Sequence, residues 1–168
     1  MALAVVWPGC SAPQEPDSDL TEQSGDILYA FSFESEEEID GYITQGMVEF
    51  VADAPPDGGS QSISVGGGCI APHFWLELAP PTENTDMILR CWARNIRLGG
   101  GIELTARDTS GHWCSAWVSV EDTNWVYLQS ADTLHYQTGQ TLALEIMSGG
   151  IIGAGAVQVD LLEVVAVP

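Results

Sequence analysis

Apolar and polar residues alternate with period two along much of this chain, most clearly in residues 87–94, 102–107 and 112–120. Because successive side chains of a strand point to opposite faces, each segment is predicted to be a strand with one aliphatic face. The opposite faces carry three tryptophans and four charged residues: Trp92, Trp113, Trp117, Arg90, Arg94, Glu103 and Arg107. Tryptophan mixed with charge outside a core suits stacking on a sugar ring or contact with a flat partner.

The same alternation predicts ten strands, separated by turn signals rich in glycine and proline. We place the strands at 27–33, 47–52, 61–65, 73–79, 87–95, 101–108, 113–120, 125–129, 141–147 and 156–165. A helix-like pattern occurs only at 35–40, and it is one turn long at most. Many short strands separated by such turns indicate an all-β fold, either a sandwich or a barrel.

The net charge of the chain limits the classes of molecule that it is expected to bind. The 168 residues include 24 Asp and Glu against four arginines and no lysine, which gives a formal net charge of −20. Such a charge argues against nucleic acid and against anionic membrane surfaces as partners. It suits a secreted or surface protein, a cation-rich site, a salty habitat, or a surface that is acidic only for solubility.

Residues 1–26 differ from the rest of the chain. A short apolar run reaches Cys10, and 11–26 are rich in Pro, Ser, Asp, Glu and Gln without hydrophobic periodicity, as in a flexible tether. The run resembles the end of a bacterial lipoprotein signal, which implies export and lipidation of Cys10. The alternative is an ordinary apolar N-terminal strand. Residues 27–168 are then the β-sandwich domain.

The other cysteines indicate no metal site. Cys91 and Cys114 fall on predicted core faces, as buried free thiols or as a cross-strand disulfide in an oxidising compartment. Cys69 follows a glycine run in a predicted loop. The sequence contains no Cys-x-x-Cys pair or His/Cys cluster, so the cysteine and histidine spacing does not predict a zinc site.

A series of short motifs runs in order through residues 27–165. These are Phe31-Ser-Phe-Glu34, Asp40-Gly-Tyr42, Asp57-Gly-Gly-Ser60, Ser62–Val65, Leu89–Arg94, Ile102–Asp108, Asn124-Trp125, Leu142–Ile146 and Gly155–Asp160. Their order and spacing resemble the galactose-binding-like jelly-roll superfamily, with departures at Tyr42, where tryptophan is usual, and at Leu161, where a second aspartate is usual. The resemblance implies a jelly-roll β-sandwich of two antiparallel sheets. The superfamily includes carbohydrate-binding modules attached to glycoside hydrolases and adhesion or assembly domains without a sugar ligand, so the fold does not fix the function.

The resemblance also implies a structural Ca²⁺. Glu34 and Asp160 match the positions of the usual ligands, and the loop from Asp57 to Ser60 would add backbone carbonyl oxygens. Calcium takes six to eight hard oxygen ligands, of which one or two carboxylates are enough. The alternative is that both acids are solvated residues at strand edges.

We therefore expect non-catalytic carbohydrate binding through the tryptophan and arginine face, outside the cell or at its envelope. Three of the four arginines are predicted to lie on this face, which favours an anionic polysaccharide as ligand. Trp75 and His73, also off the core side, are secondary candidates. The alternatives are a structural or self-assembling surface subunit, such as a homo-oligomer, that uses this face or its edge strands for protein contact, and an appended domain whose enzyme partner is a separate chain.

Catalysis is not expected. Glu103 and Glu145 both point away from the core and match the pair of carboxylates that glycosidases use. Neither has a predicted desolvated pocket, and the sequence contains no Gly-x-Ser-x-Gly, His-Glu-x-x-His or Cys/His pattern.

Overall fold

The computed structural model describes residues 25–67, 72–149 and 155–168. Cys10, most of the proposed tether, and Cys69 lie outside these described residues. Over the described ranges, no helix has the length and apolar character that a membrane crossing requires.

The described residues form twelve strands and one short 3-10 helix, Glu36–Ile39. The strands are β1 Ile27–Phe31, β2 Ile43–Gln45, β3 Met47–Val51, β4 Ser62–Gly66, β5 His73–Leu78, β6 Thr85–Arg97, β7 Gly100–Arg107, β8 Trp113–Val120, β9 Val126–Gln129, β10 Leu134–Tyr136, β11 Thr141–Ser148 and β12 Ala156–Val167. Each of the ten predicted strands is confirmed to within a few residues. The sequence missed β2 and β10, because three residues are too few to establish a period.

The strands form two antiparallel sheets packed as a sandwich. The seven-stranded sheet has the order β10–β6–β12–β4–β3, with β1 also paired to β12 and β9 to β6. The five-stranded sheet has the order β2–β5–β11–β7–β8. The predicted all-β sandwich of two antiparallel sheets is confirmed.

A single aliphatic core lies between the two sheets, and it is built from the faces that the alternation predicted. The core residues contributed by 87–94, 102–107 and 112–120 are Met87, Leu89, Cys91, Ala93, Ile102, Leu104, Ala106, Ala116, Val118 and Val120. Burying one large aliphatic side chain contributes about 1.5–3 kcal/mol to stability, so this alternation fixes which way each strand faces. The polar and aromatic residues between these positions point outward.

The expectation that Trp92 shares a face with Trp113 and Trp117 is wrong. Trp92, together with Arg90 and Arg94, lies on β6 in the seven-stranded sheet, whereas the other two tryptophans lie on β8 in the five-stranded sheet. Consecutive strands β6 and β7 do not pair in either sheet, because β6 hydrogen-bonds with β12, β9 and β10 instead. Residues 98–99, both with positive φ, carry the chain from one sheet to the other.

The two described cysteines are free thiols. Cys91 is fully buried in β6 and Cys114 is half-buried in β8 of the other sheet. Desolvation raises the pKa of the Cys91 thiol to about 12. Of the two alternatives for this pair, the structure has the free thiols.

Candidate functional site

A line of side chains crosses the outer face of the five-stranded sheet at right angles to its strands. The cross-strand register aligns one residue from each strand: Ile43, Trp75, Glu145, Glu103 and Trp117. We call this set the transverse row. Trp75 and Trp117 lie three strand spacings apart, or about 14 Å between backbones. Two indoles therefore flank two carboxylates on one solvent-facing surface.

Glu145 is held in place at the centre of the transverse row. Its Oε2 lies 2.9 Å from Nε2 of His73 on β5, and its Oε1 accepts a hydrogen bond of 3.4 Å from the Thr105 hydroxyl on β7. The Glu145 side chain is only 13 % exposed. The Thr105 hydroxyl is equally close to the Ala143 carbonyl oxygen, so the His73 contact and the low exposure are what restrain the carboxylate.

Trp117 lies across the neighbouring strand β7. A Cβ built on Gly101 would lie 2.6 Å from Cε2 of the indole and closer still to Cζ2 and Cη2. The ring therefore covers the glycine backbone, yet 40 % of Trp117 stays exposed. Trp113 lies at the other end of β8, 56 % exposed and opposite Arg107.

A shallow depression lies beside Trp75. It is lined by Trp75, Thr105, Arg107, Thr141 and Ala143, from strands β5, β7 and β11. Aromatic, hydroxyl and guanidinium groups thus converge on one end of the face.

Four of the seven residues predicted to bind carbohydrate share this face: Trp113, Trp117, Glu103 and Arg107. The structure adds Trp75 and His73, which were secondary candidates, and Glu145, which was weighed only as half of a catalytic pair. All three are outward positions of the alternation in 73–78 and 141–148, which was the signal for them. The sequence did not show that these strands adjoin β7.

The other three predicted residues, Trp92, Arg94 and Arg90, lie on β6 in the seven-stranded sheet, where each contacts a nearby side chain. The Trp92 ring meets Tyr127 edge to face at 5.9 Å. The Arg94 guanidinium lies 4.9 Å from the Trp125 ring centre, and Arg90 Nε donates to Gln129 Oε1 at 3.1 Å. The Trp92 and Arg90 contacts join β6 to β9, and Arg94 packs on the residue just before β9, so none of them is part of the transverse row.

The residues proposed for calcium do come together. Asp160 is fully buried; its Oδ1 accepts a 2.8 Å hydrogen bond from the Leu161 amide, and its Oδ2 has no partner within the described part of the chain. A Cβ on Gly58 would collide with that Oδ2, and a Cβ on Gly59 would lie 2.5 Å from Cδ of Glu34. The 57–60 loop therefore packs directly on both carboxylates.

The pKa values of Glu34 and Asp160 are shifted in opposite directions. The Ser60 hydroxyl donates to Glu34 at 2.6 Å, and this bond, helped by the Gln61 and Ser60 amides, lowers the pKa of Glu34. Burial raises the pKa of Asp160 to about 6. The hydrogen bond from the Leu161 amide lowers this pKa, whereas the negative charges of Glu34 and Glu38 raise it.

These features fit a hard cation. A buried carboxylate oxygen without a partner, next to further acids, is a costly arrangement that a bound cation would relieve. Asp57 lies exposed on the same loop. Over the described residues no group of three or more His, Cys, Asp or Glu is placed to hold a metal ion, so backbone carbonyls and water would have to supply most of the ligands.

Comparison with known proteins agrees with the architecture. The CBM22-1 xylan-binding domain from Paenibacillus barcinonensis Xyn10C is 23% identical, with a TM-score of 0.60 over 86% of this chain and 97% of that one. The CBM22-1–GH10 modules of Clostridium thermocellum Xyn10B, complexed with xylohexaose, are 10% identical, with a TM-score of 0.62 over 85% of this chain and 29% of that one. A family 16 carbohydrate-binding module is 15% identical, with a TM-score of 0.55 over 70% and 84%.

No family model matches the chain, and no curated protein matches it. Identities this low establish the fold and leave the ligand open. The chain has the jelly-roll β-sandwich fold found in carbohydrate-binding modules.

Proposed function

We propose that this domain binds a linear glycan non-catalytically on the outer face of its five-stranded sheet. The observation that carries the proposal is the transverse row, in which Trp75 and Trp117 flank Glu145 and Glu103. Indole rings offer a flat apolar surface to the C–H face of a sugar ring, and carboxylates accept hydrogen bonds from its hydroxyls. The separation of about 14 Å between the two strands leaves room for an extended ligand rather than a single sugar.

Binding without hydrolysis is the chemistry that this face supports. Glu145 is paired with His73, and the transverse row lies across the outer face of a sheet. The similar structures include a xylan-binding domain and modules complexed with xylohexaose, which supports the same proposal.

Affinity electrophoresis tests the proposal. Soluble xylan, a mixed-linkage β-glucan, galactan and polygalacturonate serve as gel ligands for the wild type, Trp75→Ala and Trp117→Ala. We expect retardation on at least one neutral polysaccharide, lost in both variants and kept in Tyr127→Ala, which removes an exposed ring from the opposite sheet. Failure of the wild type to be retarded by any polysaccharide would refute glycan binding by this face.

Self-assembly is the second candidate. β8 is an edge strand of its sheet and carries both Trp113 and Trp117 exposed, a surface on which another copy of the chain could pack. Light scattering coupled to size exclusion distinguishes the two functions. A stable oligomer that Trp113→Ala dissociates would favour assembly, whereas a monomer that binds glycan would exclude it as the role of this face.

We also propose that Ca²⁺ binds between Asp160 and Glu34 and stabilises the fold without taking part in glycan contact. The unpartnered Oδ2 of Asp160 is the observation that supports it. The ion would offset the negative charges of Glu34 and Glu38 that act on Asp160. Export, lipidation of Cys10 and association with an enzyme on another chain stay proposals that rest on the sequence.

A further inference from the structure

The backbone of Gly101 does not itself require glycine. Residues with positive φ favour glycine, but Gly101 is not among those residues. It lies inside β7, paired with Met147 on β11 and Ser119 on β8. A strand interior disfavours glycine, because it contributes no side chain to packing and costs backbone entropy. Something other than local conformation must account for it.

The neighbouring indole accounts for it. The three heavy atoms nearest to a Cβ built on Gly101 all belong to the six-membered side of the Trp117 ring or its fusion carbon. Real Cβ atoms essentially never come so close to another heavy atom. Any side chain at 101 must therefore lift or rotate the ring.

We propose that Gly101 is a positioning residue that seats the Trp117 indole flat on strand β7, and so sets the height and tilt of one aromatic wall of the glycan-binding face. The proposal rests on the proposed glycan function for its consequence, but not for its geometry. With the ring seated over Gly101 on β7, Trp117 reaches inward from the edge strand, which shortens the distance that a ligand must span to Trp75. With the ring displaced, the edge strand would present it upright and away from the row.

A double-mutant cycle between Gly101→Ala and Trp117→Ala tests the seating. In the wild-type background the added methyl group overpacks the contact, and we expect the melting temperature to fall by roughly 3–9 °C. In the Trp117→Ala background the three closest contacts are gone, and we expect a change of less than about 2 °C. Equal losses in both backgrounds would overturn the proposal, because the glycine would then be needed for another reason.

Gly100→Ala is the matched control from the adjacent position. Its Cβ would collide with the Met147 carbonyl oxygen and lie 2.8 Å from Cγ1 of Val157, neither of which Trp117 can relieve. We expect Gly100→Ala to lower the melting temperature equally with and without the indole.

Two further measurements separate ring position from stability. In protein labelled with 5-fluorotryptophan, Gly101→Ala should shift the fluorine resonance that Trp117→Ala deletes and leave that of Trp75 in place. Titration with xylohexaose as the probe should show at least a tenfold weaker affinity for Gly101→Ala at a temperature where the variant is folded. One outcome is coupling between Gly101 and Trp117 in the cycle while Gly101→Ala binds xylohexaose as tightly as the wild type. That result would mean that the seated ring is not a ligand contact, and it would overturn the functional half of the inference. Absence of binding by the wild type would count against the proposed function, while the cycle and the fluorine spectrum would still decide the role of Gly101.

Discussion

Glu103 on β7 and Glu145 on β11 lie directly opposite each other on the outer face of the five-stranded sheet. Like charges in this cross-strand position repel. His73 pairs with Glu145, and Arg107 is the one arginine of the described residues on this face. The expectation of an anionic ligand rested on three arginines sharing the face with the tryptophans. Only one of them does, so the basis for that expectation is gone.

The acidic pair predicts that the face rejects uronate polymers. We expect calorimetry to show weaker binding of a galacturonate oligomer than of a neutral oligosaccharide of the same length. Glu103→Gln should reduce that discrimination at least threefold, because it removes a charge without shortening the side chain. Glu49→Gln removes the same charge from the exposed outer side of β3 in the other sheet and should change nothing. Equal effects of the two substitutions would attribute the discrimination to the net charge of the chain.

The raised pKa of Asp160 predicts how stability depends on pH. Because its folded-state pKa, about 6, lies above the unfolded value, metal-free protein should gain stability as pH falls from 7 toward 5. The gain should be absent in Asp160→Asn, and the difference between the two melting curves isolates it from the relief of other charges. Glu34 has a lowered pKa and acts in the opposite direction, but only below about pH 4.5.

Bound Ca²⁺ should reverse the dependence of stability on pH that Asp160 causes. An ion bound at Asp160 keeps its carboxylate ionised, so added Ca²⁺ should raise the melting temperature by a few degrees at pH 7 and by less at pH 5. Differential scanning fluorimetry after EDTA treatment and dialysis measures both. The same shift in Asp160→Asn as in the wild type would place the ion elsewhere.

Arg94 is expected to stabilise the fold rather than to bind ligand. Its guanidinium pairs with Asp53, donates to Gln158 Oε1 at 2.7 Å and packs over Trp125. We expect Arg94→Gln to lower the free energy of unfolding by about 1–3 kcal/mol in urea, with unchanged glycan affinity. Arg97→Gln, at the exposed end of the same strand, should cost less than about 0.5 kcal/mol. A loss of affinity without a loss of stability in Arg94→Gln would return this residue to the binding site.

Cys91 should be chemically inert in the folded protein. Its thiol is fully buried with a pKa of about 12, whereas Cys114 is half-buried and its pKa is raised less. Peptide mapping after native iodoacetamide treatment should find Cys91 unmodified and Cys114 modified slowly, with both modified in guanidinium. Rapid native modification of Cys91 would contradict the core assignment of β6.

The sequence alone determined the face on which each side chain lies. Glu103, Trp113 and Trp117 were placed outward and Leu104 and Val118 inward, and the structure agrees. The reason is local: a strand alternates its side chains residue by residue, and burying the aliphatic set fixes which side faces the core. The arrangement of alternating strands and turns likewise determined the all-β fold.

Only the tertiary structure decided which outward faces become neighbours. β6 joined β12, more than fifty residues later in the chain, and this pairing took Trp92 to the opposite sheet. β11 joined both β5 and β7, which brought Trp75 and Glu145 into line with Glu103 and Trp117. Strand partners are chosen by the packing of the whole sandwich, and no period within a single segment records that choice.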